Sequence, residues 1–184
     1  MSQQALKPLP IRIDPVNFAD HARKLEGLVA TKGMKRLLAN VQSVDSMIVA
    51  KLNISPGFLG YPLVLGQVFA AVAMRCERCL DEVNTELNLD IEVLVKSQDH
   101  EMPEKEQIQD EDELEFYEYE GKSLVLSDFI EEELLLELPL VPKHQDILLC
   151  NQDMIAWLAA NEAPSKEQAT SNGKAESPFA ILKR

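Results

Sequence analysis

The stretch Met74-Arg75-Cys76-Glu77-Arg78-Cys79-Leu80 decides how the chain folds, because it sets a Cys-x2-Cys turn between two long apolar runs. Upstream, residues 63–74 are almost entirely apolar. Downstream, Val83, Leu87, Leu89, Ile91, Val93 and Val95 are apolar, and from Leu87 they alternate with polar residues as in a half-buried strand. Two strands joined by so short a tip make an antiparallel hairpin, and a dithiol tip supplies half of a tetrahedral zinc site. The remaining cysteine is Cys150, with His144 six residues before it. Cys76, Cys79, His144 and Cys150 are therefore the candidate ligands of a structural Zn2+, since thiolates and imidazole suit that ion. Arg75 and Arg78 offset the charge of a thiolate-rich site. A plainer reading stands beside this one: Cys76 and Cys79 as reduced thiols in a turn, Cys150 buried and His144 exposed.

Composition narrows the class. With 46% apolar and 27% charged residues in 184, the chain reads as one well-cored soluble domain with tails. No apolar run approaches the roughly 20 residues that a bilayer-spanning helix needs, so no membrane role is expected. Residues 1–10 hold one lysine, two prolines and no apolar core, which is not the pattern of a secretory leader. Three cysteines, two of them three residues apart, argue against a disulfide framework and for a reducing cytoplasm. The net charge of −13 is concentrated: Asp99 to Glu120 carries eleven acidic residues and one lysine, about −10 of the total. Such a segment repels phosphate backbones and favours a basic protein partner, such as a ribosomal protein or the basic face of a pre-ribosomal particle. Its plainer reading is a solvated acidic loop that maintains solubility.

Taken in order, Ile11-Arg12-Ile13 reads as a short strand. Asp14-Pro15 opens a helix predicted to run to Glu26, with Gly27 as its stop. A second short helix is expected over Gly33–Asn40, a strand over Val41–Ile54, and a turn at Ser55-Pro56-Gly57. The strand that leads into Cys76 is apolar at every position from Val68 to Ala73, which predicts cover on both faces. Leu114 to Tyr119 suits an edge strand protected by charge. The clearest helix begins near Ser127-Asp128, where Asp128 and Glu131 have capping-box spacing. Ile130, Leu134 and Leu138 form its apolar stripe, Glu131, Glu132, Glu133 and Glu137 its wet side, and Pro139 its end. Asn151–Ala160 is a short helix with Met154, Trp157 and Leu158 on one side. The fold class is α+β: a central antiparallel β-sheet, able to curl towards a barrel, flanked by a few helices. The predicted domain covers residues 1–160 with an acidic loop at about 98–120. A disordered linker (161–177) and a short apolar and basic tag (178–184) follow.

Four motifs now stand in order: Ile13-Asp14-Pro15; Cys76-Glu77-Arg78-Cys79-Leu80; Leu138-Pro139-Leu140-Val141-Pro142-Lys143-His144; and Ser177-Pro178-Phe179-Ala180-Ile181-Leu182. In this arrangement the chain resembles the bacterial YceD family, the large ribosomal RNA subunit accumulation proteins. The resemblance implies a cytoplasmic, non-enzymatic factor that supports synthesis, processing or stability of 23S rRNA. In wider relatives the segment after the Leu-Pro-Leu run carries several cysteines. Here His144 stands at the first such position and Cys150 alone follows.

The residues themselves speak against catalysis. There is no Gly-rich phosphate loop, no Gly-x-Ser-x-Gly and no His-Glu-x-x-His. The Cys-x2-Cys sits between strands rather than at a helix N-terminus in a βαβ unit, where redox dithiols belong. Three functional readings follow. The first is a ribosome-biogenesis factor that binds a basic partner, with Pro178, Phe179, Ile181 and Leu182 as a tethered contact or as a tag docking on its own domain. The second is direct rRNA binding through Arg75 and Arg78. The third is a small metal or redox protein using the dithiol.

Overall fold

The computed structural model describes residues 6–99 and 116–161. Its centre is the hairpin of β5 (Pro62–Arg75) and β6 (Glu82–Ser97), paired antiparallel without a break from Leu63↔Leu94 to Arg75↔Glu82. β4 (Met47–Pro56) pairs antiparallel with β5 and with β2 (Lys24–Ala30), while β3 (Ser43–Val44) pairs the far end of β5. β7 (Phe116–Tyr119) extends the other side, giving the order β2-β4-β5-β6-β7 in a six-stranded sheet that curls into half a barrel. A separate pair joins β1 (Arg12–Ile13) to β8 (Leu124–Val125). The α+β expectation holds, with one refinement. β6 and β7 run parallel, so the sheet is mixed rather than wholly antiparallel.

The concave face is filled by α3 (Leu126–Glu137), whose Leu126, Phe129, Ile130 and Leu134 are buried in one core with Val64, Val68 and Val72 of β5 and Leu87, Leu89 and Ile91 of β6. Tyr117 of β7 meets the Phe129 ring edge-on at 5.0 Å, which ties the edge strand to the helix. α2 (Lys35–Asn40) packs beside α3 and buries Leu37. α4 (Gln152–Asn161) closes the described chain.

Several local expectations give way to tertiary geometry. The first helix, α1 (Pro15–Asp20), begins as predicted, with Asp14 accepting from the Asn17 amide at 3.1 Å, but it lasts only six residues. Ala22 turns the chain at φ 44, and residues expected to continue the helix form β2 instead. Gly27 is thus no helix stop. It sits mid-strand, where a Cβ would collide with the Lys7 carbonyl oxygen. Leu9 N–H and Leu28 N–H bond there to Leu28 O and Lys7 O at 2.8 and 2.9 Å, which covers the edge of β2. The predicted strand over Val41–Ile54 is broken at Asp45-Ser46 into β3 and β4. β5 is covered on one face only: Phe69 and Ala71 are exposed on the outer side.

α3 starts three residues earlier than its capping box implies, with Val125 at the N-cap and no side-chain cap. Glu131 is not on the wet side. It is 5% exposed, and its Oε1 accepts from the Arg36 and Leu37 amides at 2.7 and 2.9 Å. α2 has no side-chain cap of its own, so a carboxylate from α3 satisfies its first amides. In α4, Met154 and Ile155 pack on the core, whereas Trp157 stands 60% exposed. The predicted acidic loop falls mostly on residues 100–115, and the predicted linker and tag on 162–184. These lie outside the described residues, as do Pro178, Phe179, Ile181 and Leu182.

Candidate metal centre at the hairpin tip

The tip continues the β5–β6 ladder by one bond, Cys76 N–H to Asp81 O at 2.8 Å, and then tightens through Leu80 N–H to Cys76 O at 2.8 Å. Leu80 closes the turn at φ 67, a left-handed conformation that costs a non-glycine residue about 1–2 kcal/mol. This folding turns both sulfurs inward: Cys76 is 0% exposed and Cys79 1%.

The second half of the site arrives from the segment after α3. Leu138 leaves the helix at ψ 131, as the following proline requires, and the chain runs extended across the tip. Pro142 O accepts the Glu77 amide at 2.8 Å and so fixes this segment to the turn. A single turn of 3-10 helix (Ile147–Leu149), capped by Asp146 Oδ1 on the Leu148 amide at 2.9 Å, then delivers Cys150. Asn151 Oδ1 accepts from the Asp153 and Met154 amides at 3.1 and 3.2 Å and opens α4 immediately afterwards.

All four predicted ligands converge: one donor atom from each of Cys76, Cys79, His144 and Cys150 lies within 4.8 Å of every other. His144 Nδ1 is 3.5 Å from Cys79 Sγ and 3.6 Å from Cys150 Sγ. A sulfur and a nitrogen bound tetrahedrally to one zinc lie about 3.6 Å apart, given bonds of about 2.3 and 2.05 Å. The other imidazole nitrogen, Nε2, is 3.1 Å from Glu82 O. A carbonyl only accepts, so Nε2 carries the proton and Nδ1 keeps its lone pair turned to the sulfurs. The cluster is thus able to hold a metal with four protein donors, and its histidine is already oriented from behind.

The electrostatics suit a cation. Burial pushes the Cys76 thiol up, but hydrogen bonds from the backbone of Cys79, His144 and Arg78 outweigh it and bring the thiol from 9.0 down to about 6. Cys150 is raised, by burial first and then by the neighbouring sulfurs of Cys79 and Cys76. Arg78 Nη1 donates to Cys150 Sγ at 3.7 Å, as a counter-charge to the thiolates would. The two arginines therefore part company: Arg78 is half-buried behind the cluster, and Arg75 is exposed on the outer face of the sheet. The Glu82 carbonyl and the Pro142 carbonyl were not foreseeable, because backbone acceptors leave no trace in side-chain spacing.

Fold and site together define an α+β protein with a curled mixed sheet, whose central hairpin is tipped by a buried Cys3His cluster able to take a metal. The chain belongs to the YceD family: the model described as large ribosomal RNA subunit accumulation protein YceD matches residues 64–184, well over half of the chain. Neither a curated protein nor a solved structure matches it.

Proposed function

We propose that this protein supports accumulation of 23S rRNA by binding to large-subunit precursors rather than by catalysis, with Zn2+ as a structural ion at its hairpin tip. Family membership supports the first part, since the family's description joins it to large-subunit ribosomal RNA. The observation that carries the second is the closed donor set. Four protein ligands fill a tetrahedron, whereas a catalytic zinc keeps a position open for water or substrate. The zinc fastens the segment after α3 to the β5–β6 tip, and the rigid body so formed presents its acidic surface to a basic ribosomal protein or particle. The setting is the cytoplasm, where buried thiols stay reduced and free for metal.

Sedimentation of cell extracts tests this reading. The protein should co-migrate with large-subunit precursors, and its depletion should lower 23S rRNA relative to the small-subunit rRNA. Unchanged rRNA ratios on depletion would refute it. Direct rRNA contact at the tip keeps one observation in its favour, the exposed Arg75 guanidinium. An Arg75→Ala variant that lost salt-sensitive RNA affinity would favour that reading.

A further inference from the structure

The unbroken register of the central hairpin shows where the backbone groups of β6 point. Asp81 O bonds back to Cys76 N–H on the β5 side. Glu82 O points the opposite way, to His144 Nε2, and Gln98 N–H likewise bonds to Tyr119 O on the β7 side. Backbone direction alternates residue by residue along a strand, and the Leu63↔Leu94 to Arg75↔Glu82 ladder contains no bulge to reset it. Even-numbered residues of β6 therefore all aim their N–H and C=O away from β5. β7 takes up that edge only from Leu94 onwards. Between the His144 contact and β7, the N–H and C=O of Asn84, Glu86, Asn88, Asp90 and Glu92 face an edge with no strand partner among the described residues. The open length is about 30–36 Å at about 3.3 Å per residue.

We infer that this free edge of β6 receives an extended, basic segment of a protein partner by strand addition. An unpaired edge is a template for another strand, and its backbone groups supply affinity whatever the sequence added. The side chains decide what that sequence is. Those of Asn84, Glu86, Asn88, Asp90 and Glu92 are exposed on the outer face, three of them carboxylates. Directly opposite positions on an added strand lie about 4.5–5.5 Å away, where like charge repels and lysine or arginine pairs. On the inner face the neighbours are the buried Val83, Leu87, Leu89, Ile91 and Val93, which favour apolar residues at alternate positions. The occupant is thus a strand alternating basic with apolar side chains. The chain's own acidic segment (99–120) is the wrong charge for it. The inference narrows the binding role proposed above to one surface and one partner chemistry.

The test is amide hydrogen exchange by NMR on the full-length protein, free and with a synthetic octapeptide of alternating lysine and valine. Controls are a glutamate–valine octapeptide and a lysine–valine octapeptide N-methylated throughout, which keeps charge but has no N–H to donate and whose methyl groups crowd the strand edge. The expected result is exchange at Glu86, Asn88 and Asp90 slowed at least ten-fold by the lysine–valine peptide alone, less so at high salt. Charge reversal by Glu86→Lys, Asp90→Lys and Glu92→Lys together should transfer the protection to the glutamate–valine peptide. The inference is overturned if these amides are already slow in the free protein, if the peptide leaves them unchanged, or if the N-methylated peptide protects them equally. Such a failure leaves co-migration with large-subunit precursors as it stands, so the two ideas fail separately.

Discussion

At the scale of single residues, two side chains hold distant parts of the chain together. His144 is gripped at both nitrogens, by Glu82 O behind and by the Cys79 and Cys150 sulfurs in front. Protein purified without chelator should carry about one zinc per chain, measured by elemental analysis. A His144→Ala variant should fall well below that, whereas His21→Ala should not, because His21 only caps its own short helix at Asn17 O. A wild-type stoichiometry near zero would dispose of the zinc. Glu131 is the other such residue. Glu131→Ala leaves the Arg36 and Leu37 amides without their acceptor in a buried place and should cost about 2–4 kcal/mol in denaturant unfolding. Glu131→Gln keeps an acceptor oxygen and should cost roughly half as much. Equal losses for the two would mean that the carboxylate's hydrogen bonds are not what stabilises α2.

At the scale of elements, legibility in the sequence followed the range of the forces at work. β5, β6 and the dithiol turn were readable because period-two alternation and a tight tip are local signals. The four candidate ligands are readable as residue types, while their convergence depends on a proline-stiffened segment crossing back over the tip. The sequence of β2 predicts helix because Ala22, Leu25 and their neighbours have helical spacing. What overrides that pattern is pairing with β4, residue by residue from Lys24↔Asn53 to Ala30↔Met47, which no local window contains. Glu131 is a similar case: its spacing is that of a wet glutamate, and only α2, coming alongside, buries it. The Gly27 position gives this scale its prediction. Gly27→Ala forces a methyl group against the Lys7 carbonyl, so residues 7–9 should peel from β2. The expected signs are a stability loss of about 1–3 kcal/mol and faster exchange at Leu9 and Leu28, with the rest of the sheet unchanged. Unaltered exchange at Leu28 would show that the strand accommodates the methyl by other means.

At the scale of the whole molecule, the Cys3His cluster and the sheet act on different parts of stability. The segment over Pro139–His144 is held at the tip through His144, Cys150 and the Pro142 carbonyl, with Val141 and Lys143 exposed. Chelation should therefore free that segment first, seen as protease cleavage after Lys143, while cleavage within β5 and β6 stays slow. Simultaneous loss of both would instead mean that zinc supports the entire body.

The parallel pairing of β6 with β7 has one more outcome. Two strands that run the same way cannot be joined by a tight reversal, since the connection must carry the chain back to its starting level. The insert between Ser97 and Phe116 thus answers to geometry in its length. Recoding its acids as serine and glycine should leave the melting temperature nearly unchanged, whereas cutting it to four residues should detach β7 and strip the Tyr117 ring from Phe129. Natural drift at this place is accordingly bounded below in its number of residues.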